Sequence, residues 1–353
     1  MKTHYVGMDV HQASIVMVVL NGAGKVVEAI SLQTGAAAVR SYLQRLKGKV
    51  LVTFEEGTQA QWLYDVVQPL VTSVVVCDPR QNRLLATGNK SDRIDAQKLA
   101  ELLRQGSLKA VDHSDHGVRV LKELVRNYES FVQDTTRVMS RLKAIYRGRA
   151  IACKGHEIYR QDKSKQWLRK LVEPGVKQRA GFLYEQLAAL RPLRQKAKLA
   201  MLREARRQAA YRWLQSVPRL GPVSAAQLLA IVGTPHRFRS KRQFWTYVGL
   251  AVVTRTTADQ EVVNGVLRRS RRPVSTRGLN RNHNHRLKRV FKMAATSACH
   301  SGPFATAYEA RVKRGMDPAL ARLTIARQIA AITLSLWKRG ELFQVERIKL
   351  LAS

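Results

Sequence analysis

Apolar and polar residues alternate, or apolar ones gather in short blocks, through the first third of the chain, and both patterns mark strands. Tyr5 to Val10, Ser14 to Leu20 and Lys25 to Ser31 read as three strands, with Asn21-Gly22 offering a hairpin turn between the last two. A helix is expected over about 35 to 47, then a strand from Val50 to Glu55, a helix from Gln59 to Pro69 and a buried Val-rich strand from Thr72 to Asp78. Ser91 is placed to cap a helix that runs to Gln105, since its hydroxyl can accept from a first-turn N–H.

This βββαβαβα order fits a ribonuclease H-like α/β layer. Beyond it the period changes to that of a helix: Val120, Leu121, Leu124, Val125 and Val132 recur between Gly117 and about Ile145, and a second helical stretch covers Lys163 to Ala210, interrupted at Glu173-Pro174-Gly175. Two long helices of this kind pair as an antiparallel hairpin or as a dimerising coiled coil. The segment Leu214 to Ser224 resembles the turn of a helix-hairpin-helix, where amides at a helix start face a phosphate; a Pro-Gly loop between packed helices is the plain alternative. Thr246 to Arg269 reads as strands, with Asn264-Gly265 as a two-residue turn. The expected division is an α/β domain over 1–116, a helical coiled-coil region over 117–210, and a mostly helical domain over 211–353 carrying the helix-hairpin-helix and a small β-hairpin.

Composition is that of a globular chain and excludes disorder: 45% of the 353 residues are hydrophobic and 25% charged. Charge changes the picture more. The net charge of +37 exceeds what solubility needs, and its usual physical meaning is counterion release on binding polyphosphate, with an anionic membrane as the weaker rival. Residues 1–116 hold 13 Lys plus Arg against 11 Asp plus Glu, so the excess lies behind them, at 49 against 14. It is densest at Arg268, Arg269, Arg271, Arg272, Arg277, Arg281, Arg286, Lys288 and Arg289, a tract without an acid, where self-repulsion favours contact with nucleic acid. His283 and His285 lie in the same tract but lack a third ligand at sensible spacing, which favours phosphate or base contact over zinc. No unbroken apolar run approaches the roughly 18 residues of a spanning helix, and Met1 to Tyr5 leads straight into a strand, so a cytoplasmic protein is expected. Cys77, Cys153 and Cys299 are odd in number and widely spaced, which suits reduced thiols.

Against this cationic background, a few carboxylates stand out by position. Asp92 and Asp95 are three apart at a helix start and project from one face; Asp9 and Glu55 each end a strand. Singly, such residues are explained by a helix dipole or a strand-end turn. Together they offer hard oxygen ligands, which favour Mg²⁺ or Mn²⁺ over zinc, and a metal pair can stabilise both oxygens exchanged at a phosphodiester. Glu56 competes with Glu55, because neighbours on a pleated strand point to opposite faces and only one can face Asp9; Glu55 is preferred.

With these residues in view, the chain resembles the DEDD-type transposases of the bridge-RNA-guided insertion-sequence family. The resemblance covers most of its length. Its markers are Gly7-Met8-Asp9-Val10-His11, Phe54-Glu55-Glu56-Gly57-Thr58, Asp78-Pro79-Arg80, Ser91-Asp92-Arg93-Ile94-Asp95-Ala96, Ser216-Val217-Pro218-Arg219-Leu220-Gly221-Pro222 and Tyr247-Val248-Gly249-Leu250. It implies a RuvC-like N-terminal domain with Asp9, Glu55, Asp92 and Asp95 as the metal-binding tetrad, and a C-terminal transposase domain with a serine nucleophile. It also implies a structured guide RNA, donor and target DNA, and a homo-oligomer, dimer or tetramer. The chain departs from the pattern at the nucleophile: Thr257 stands eight residues after Gly249 where the family has serine, whereas counting back from the helix containing Leu287 gives Ser270. Thr257 is the first choice, Ser270 the second and Thr256 the third.

Overall fold

The Val- and Ile-rich runs near the N-terminus assemble into one mixed sheet. Its strands are β1 (Thr3–Val10), β2 (Ser14–Leu20), β3 (Val26–Gln33), β4 (Lys49–Glu55), β5 (Ser73–Cys77) and β6 (Ala110–Val111), in the order β3-β2-β1-β4-β5-β6. The first three form an antiparallel meander, β1, β4 and β5 run parallel, and the short β6 pairs antiparallel at the edge. The computed structural model describes residues 2–79, 91–111, 113, 117–255, 260–263, 266–269 and 275–345. The chain divides into two units, Met1–Ser114 and Asp115–Ser353.

Helices cover both faces of the sheet. Val6, Met8, Val52, Phe54 and Val76 pack on one side against α1 (Ala36–Arg45) and α2 (Ala60–Val67), through Val39, Tyr42, Leu43, Leu63 and Val67. On the other, Val18 and Leu20 meet Ala96 and Ala100 of α3 (Asp92–Arg104). A Cβ on Gly7 would lie 2.0 Å from the Ala96 carbonyl oxygen and 2.6 Å from the Ala100 nitrogen, so only glycine lets this helix lie so close to β1. Ser91 caps α3, its hydroxyl accepting from Ile94 N–H at 3.3 Å. The β2–β3 hairpin forms as expected but turns over 21–25 rather than on two residues: Asn21 Oδ1 accepts from Ala23 and Lys25 N–H, and Gly24 takes the positive φ of +83°.

In the second unit α4 (Arg119–Arg147) and α6 (Pro174–Arg206) pair antiparallel. The start of α4 and the end of α6 share one core, including Leu121, Val125, Met201 and Ala205; their other ends share a second core with α5 (Ser164–Arg169), built on Leu142, Tyr146, Trp167 and Tyr184. Pro174, which lacks the N–H a helix interior needs, stands in the first turn of α6 and explains the break in the pattern before it. The remaining helices are α7 (Ala209–Ser216), α8 (Pro222–Val232), α9 (Lys241–Tyr247), α10 (His285–Ala298), α11 (Ala305–Lys313) and α12 (Pro318–Arg339). Strands β7 (Val252–Arg255) and β10 (Ser275–Leu279) pair with each other, and between them in sequence lies the hairpin of β8 (Gln260–Val263) and β9 (Val266–Arg269), with Val263 opposite Val266. Thr246 and Tyr247 correct the expectation of strand, because Ser240 caps a short helix that carries through both. By length and composition α12 is apolar enough to cross a bilayer, although Arg322 and Arg327 break its apolar run; here Ile325, Ile329 and Ala330 lie in the core. Cys77, Cys153 and Cys299 are buried thiols, and Cys77 Sγ–H donates to the Phe54 carbonyl.

Candidate active site

Strand alternation decides where the carboxylates stand. Val6 and Met8 face the α1/α2 side, so Gly7 and Asp9 face α3. Gly7 pairs with Thr53 and Met8 with Phe54; one residue further on, Asp9 is next to last in β1 and Glu55 is last in β4, and alternation sets both on the same face. The close approach of α3 to Gly7 sets its first turn, with Asp92 and Asp95, beside the end of β1.

Asp9, His11 and Asp92 present ligand atoms all within 4.8 Å of one another. His11 Nε2–H donates to Asp9 Oδ2 at 3.2 Å and lies 3.5 Å from Asp92 Oδ2. His11 was not among the candidates, although the spacing Asp-x-His at a strand end carries the signal: residues two apart fall on one side. Asp95 Oδ1 is fully enclosed and accepts no hydrogen bond among the described residues, and Lys98 Nζ stands 4.0 Å from it. An enclosed carboxylate oxygen without a donor is the kind of group a divalent cation satisfies. Burial raises the Asp9 carboxyl above its usual range, the His11 ring opposes this, and the Asp92 and Asp95 charges add to it. Hard oxygens with one imidazole suit Mg²⁺ or Mn²⁺.

Glu56 is engaged elsewhere. Its carboxylate meets Nε2 of the buried His113, whose Nδ1 lies 3.1 Å from Gln61 Oε1 and whose ring tilts against Tyr64. His113 also escaped sequence reasoning, because its partners stand some fifty residues back in the chain.

Thr256, Thr257 and Ser270, the candidate nucleophiles, lie outside the described residues, as do Asn264 and Gly265. So do Arg271 and Arg272 and the side chains of Arg269 and Arg277. The basic tract is not one surface element. Arg268 is exposed on β9, Arg281 follows β10, and Arg286, Lys288 and Arg289 stand on α10. Burial lowers the Lys288 pKa. His283 is a packing residue against Gly249, whose added Cβ would fall 2.4 Å from its ring, and Asn284 between the two histidines caps α10 by accepting from Leu287 N–H at 3.1 Å.

A carboxylate cluster built on a mixed sheet, in a chain whose other unit is helical and strongly basic, fits an enzyme that acts on nucleic acid. Family models narrow that class. Residues 6–148 match a DEDD transposase model of the IS110 group, and residues 211–309 match the model described as Transposase IS116/IS110/IS902 family. The two matches take in most of the chain, which is a DNA transposase. It belongs to the IS110 family of DEDD-type transposases. Among curated proteins none matches it.

Proposed function

We propose that Asp9, Glu55, Asp92 and Asp95 are the metal-binding tetrad of this transposase, loaded with Mg²⁺ or Mn²⁺, and that a hydroxyl of the second unit attacks DNA. The observation that carries this reading is the docking of α3 on Gly7, which sets Asp92 next to Asp9 and carries the enclosed Asp95 oxygen in the same helical turn. A divalent ion held there would neutralise charge developing on the oxygens exchanged at phosphorus. Within the chain, Asp9 and Asp92 converge on His11, which keeps them together by donating to Asp9. Thr257, with Ser270 second and Thr256 third, supplies the hydroxyl: its oxygen bonds to phosphorus, the bond to a deoxyribose oxygen breaks, and that oxygen takes up a proton. The product is a covalent protein–DNA intermediate that a second exchange religates.

The rest of the reading follows from charge and from family. The basic second unit grips a structured guide RNA together with donor and target DNA, mostly through phosphate, leaving sequence choice to base pairing. The turn between α7 and α8 acts as a helix-hairpin-helix, the α4/α6 pair as a dimerising coiled coil, and tetrad and hydroxyl meet from different subunits of a dimer or tetramer in the bacterial cytoplasm, at the nucleoid.

Trapping on supercoiled DNA with the guide RNA tests the chemistry. Thr257→Ala removes the covalent adduct and Ser270→Ala spares most of it; the reverse result reassigns the nucleophile. Asp9→Asn and Asp92→Asn lose cleavage while retaining RNA binding. Free 5′-phosphate ends without attached protein would replace this reading by a hydrolytic, junction-cleaving nuclease, and undiminished activity of both Asn variants by a non-enzymatic RNA-binding protein.

A further inference from the structure

A cleft of about 630 Å³ opens in the second unit between α4, α8 and α10, within the size range of small-ligand sites. At its base lies Glu129, a buried acid in line with the core residues of α4. Its Oε1 accepts from Gln227 Nε2 of α8 at 2.8 Å, and its Oε2 pairs with Arg286 Nη1 of α10 at 2.8 Å. Glu129 is buried while the Arg286 side chain is about half exposed, and well-packed apolar residues would join three helices at least as stably as a buried acid, so stability alone does not account for this set. What it does provide is a buried carboxylate and a buried amide on the floor of a cleft, with the half-exposed Arg286 guanidinium paired to the carboxylate.

The walls are of another kind. Tyr128, Val132, Val223 and Val290 give the cleft apolar sides, one of them an aromatic ring. Since Glu129 balances Arg286, the excess positive charge comes from Arg289, which has no ion pair among the described residues. Val223 and Ser224 at the cleft also belong to the first turn of α8, ahead of the first intrahelical bond from Ala225 N–H to Gly221, so their amides point out of the helix. An aromatic and apolar slot, polar groups on its floor, and a cation with free amides at its edge match the base and the phosphate of one nucleotide.

We propose that this cleft binds a single unpaired nucleotide of a nucleic-acid strand, its base between the apolar walls and over the Glu129-Gln227-Arg286 floor, its phosphate at Arg289 and the start of α8. The base must leave its stack to enter, so the cleft selects bulges, loops or single-stranded positions over continuous duplex. The inference rests on the reading of the second unit as the nucleic-acid grip and is independent of the strand-transfer chemistry, because every residue used lies in that unit and the measurement is binding without cleavage; failure of the grip would show as weak, salt-insensitive binding of base-bearing and abasic probes alike.

The test uses the full chain and fluorescence anisotropy with short labelled duplexes that carry one bulged residue: thymidine in a DNA probe, uridine in an RNA probe, and an abasic bulge as the control for each. The intact chain binds at least one base-bearing bulge about tenfold more tightly than its abasic control. Gln133→Trp on the exposed rim and Ser224→Trp at the α8 edge fill the cleft without removing charge; loss of that preference in either variant, with abasic affinity kept within about twofold, supports the site. Preference for DNA, RNA or both names the source of the nucleotide. Equal binding of base-bearing and abasic bulges by the intact chain, or a preference that survives both tryptophans, overturns the proposal.

Discussion

Asp9 is held where its own charge is unfavourable, and this has a consequence separate from catalysis. Burial first, then the Asp92 and Asp95 charges, raise its carboxyl above the usual range against the pull of His11. A folded state that holds this proton more tightly than the unfolded chain loses stability as pH rises from the unfolded value through the folded one, and regains none above. In the absence of divalent cation, Asp9→Asn therefore raises the thermal midpoint at neutral pH while abolishing cleavage. Mg²⁺ raises the midpoint of the parent chain and not that of the variant. A midpoint lowered by the substitution would contradict this account of the cluster. The sequence marked the four carboxylates as candidates because each stands near the end of a strand or the start of a helix, and the structure brings Asp9 and Asp92 together. It did not reveal Asp95 as enclosed, Asp92 as a neighbour of His11, or Glu56 as the partner of His113, since each depends on how strands and helices stack.

Among elements, α3 contributes most to the site and has least freedom in where it lies. Gly7→Ala forces a methyl against the Ala96 carbonyl and the Ala100 amide, both backbone groups that cannot swing aside. The expected cost is about 3 kcal/mol, read as a lower denaturant midpoint, together with loss of cleavage as the first turn of α3 moves off β1. Unchanged stability and activity would mean that the helix docks with more slack than its contacts show. Alternation was enough to find β1 to β5, and the Ser91 cap was enough to start α3 at Asp92. The two-residue β6 is too short to carry a period, and Thr246-Tyr247 has strand-forming residues in a turn of helix that Ser240 initiates from six residues earlier. Glu129 illustrates the same limit: in sequence it is one more acid on a helix, and only α8 and α10 make it an interior residue.

For the whole molecule the governing quantity is the division of charge, with 49 basic residues against 14 acidic ones after position 116. If that excess meets phosphate, guide-RNA affinity falls about 1,000-fold or more between 50 and 200 mM salt, as for proteins that make roughly six to ten phosphate contacts. An affinity nearly flat over that range would show that the cations serve something else. The long helix α4 adds a mechanical relation to this electrostatic one. Its 29 residues form a rod of about 43 Å, anchored near one end in the main core and near the other in the small core around Tyr146 and Trp167. Glu129 stands part-way along that rod, clamped to two other helices. Seventeen residues separate Glu129 from Tyr146 on that rod, so about 26 Å of unbroken helix sets the spacing between the floor of the cleft and the small core.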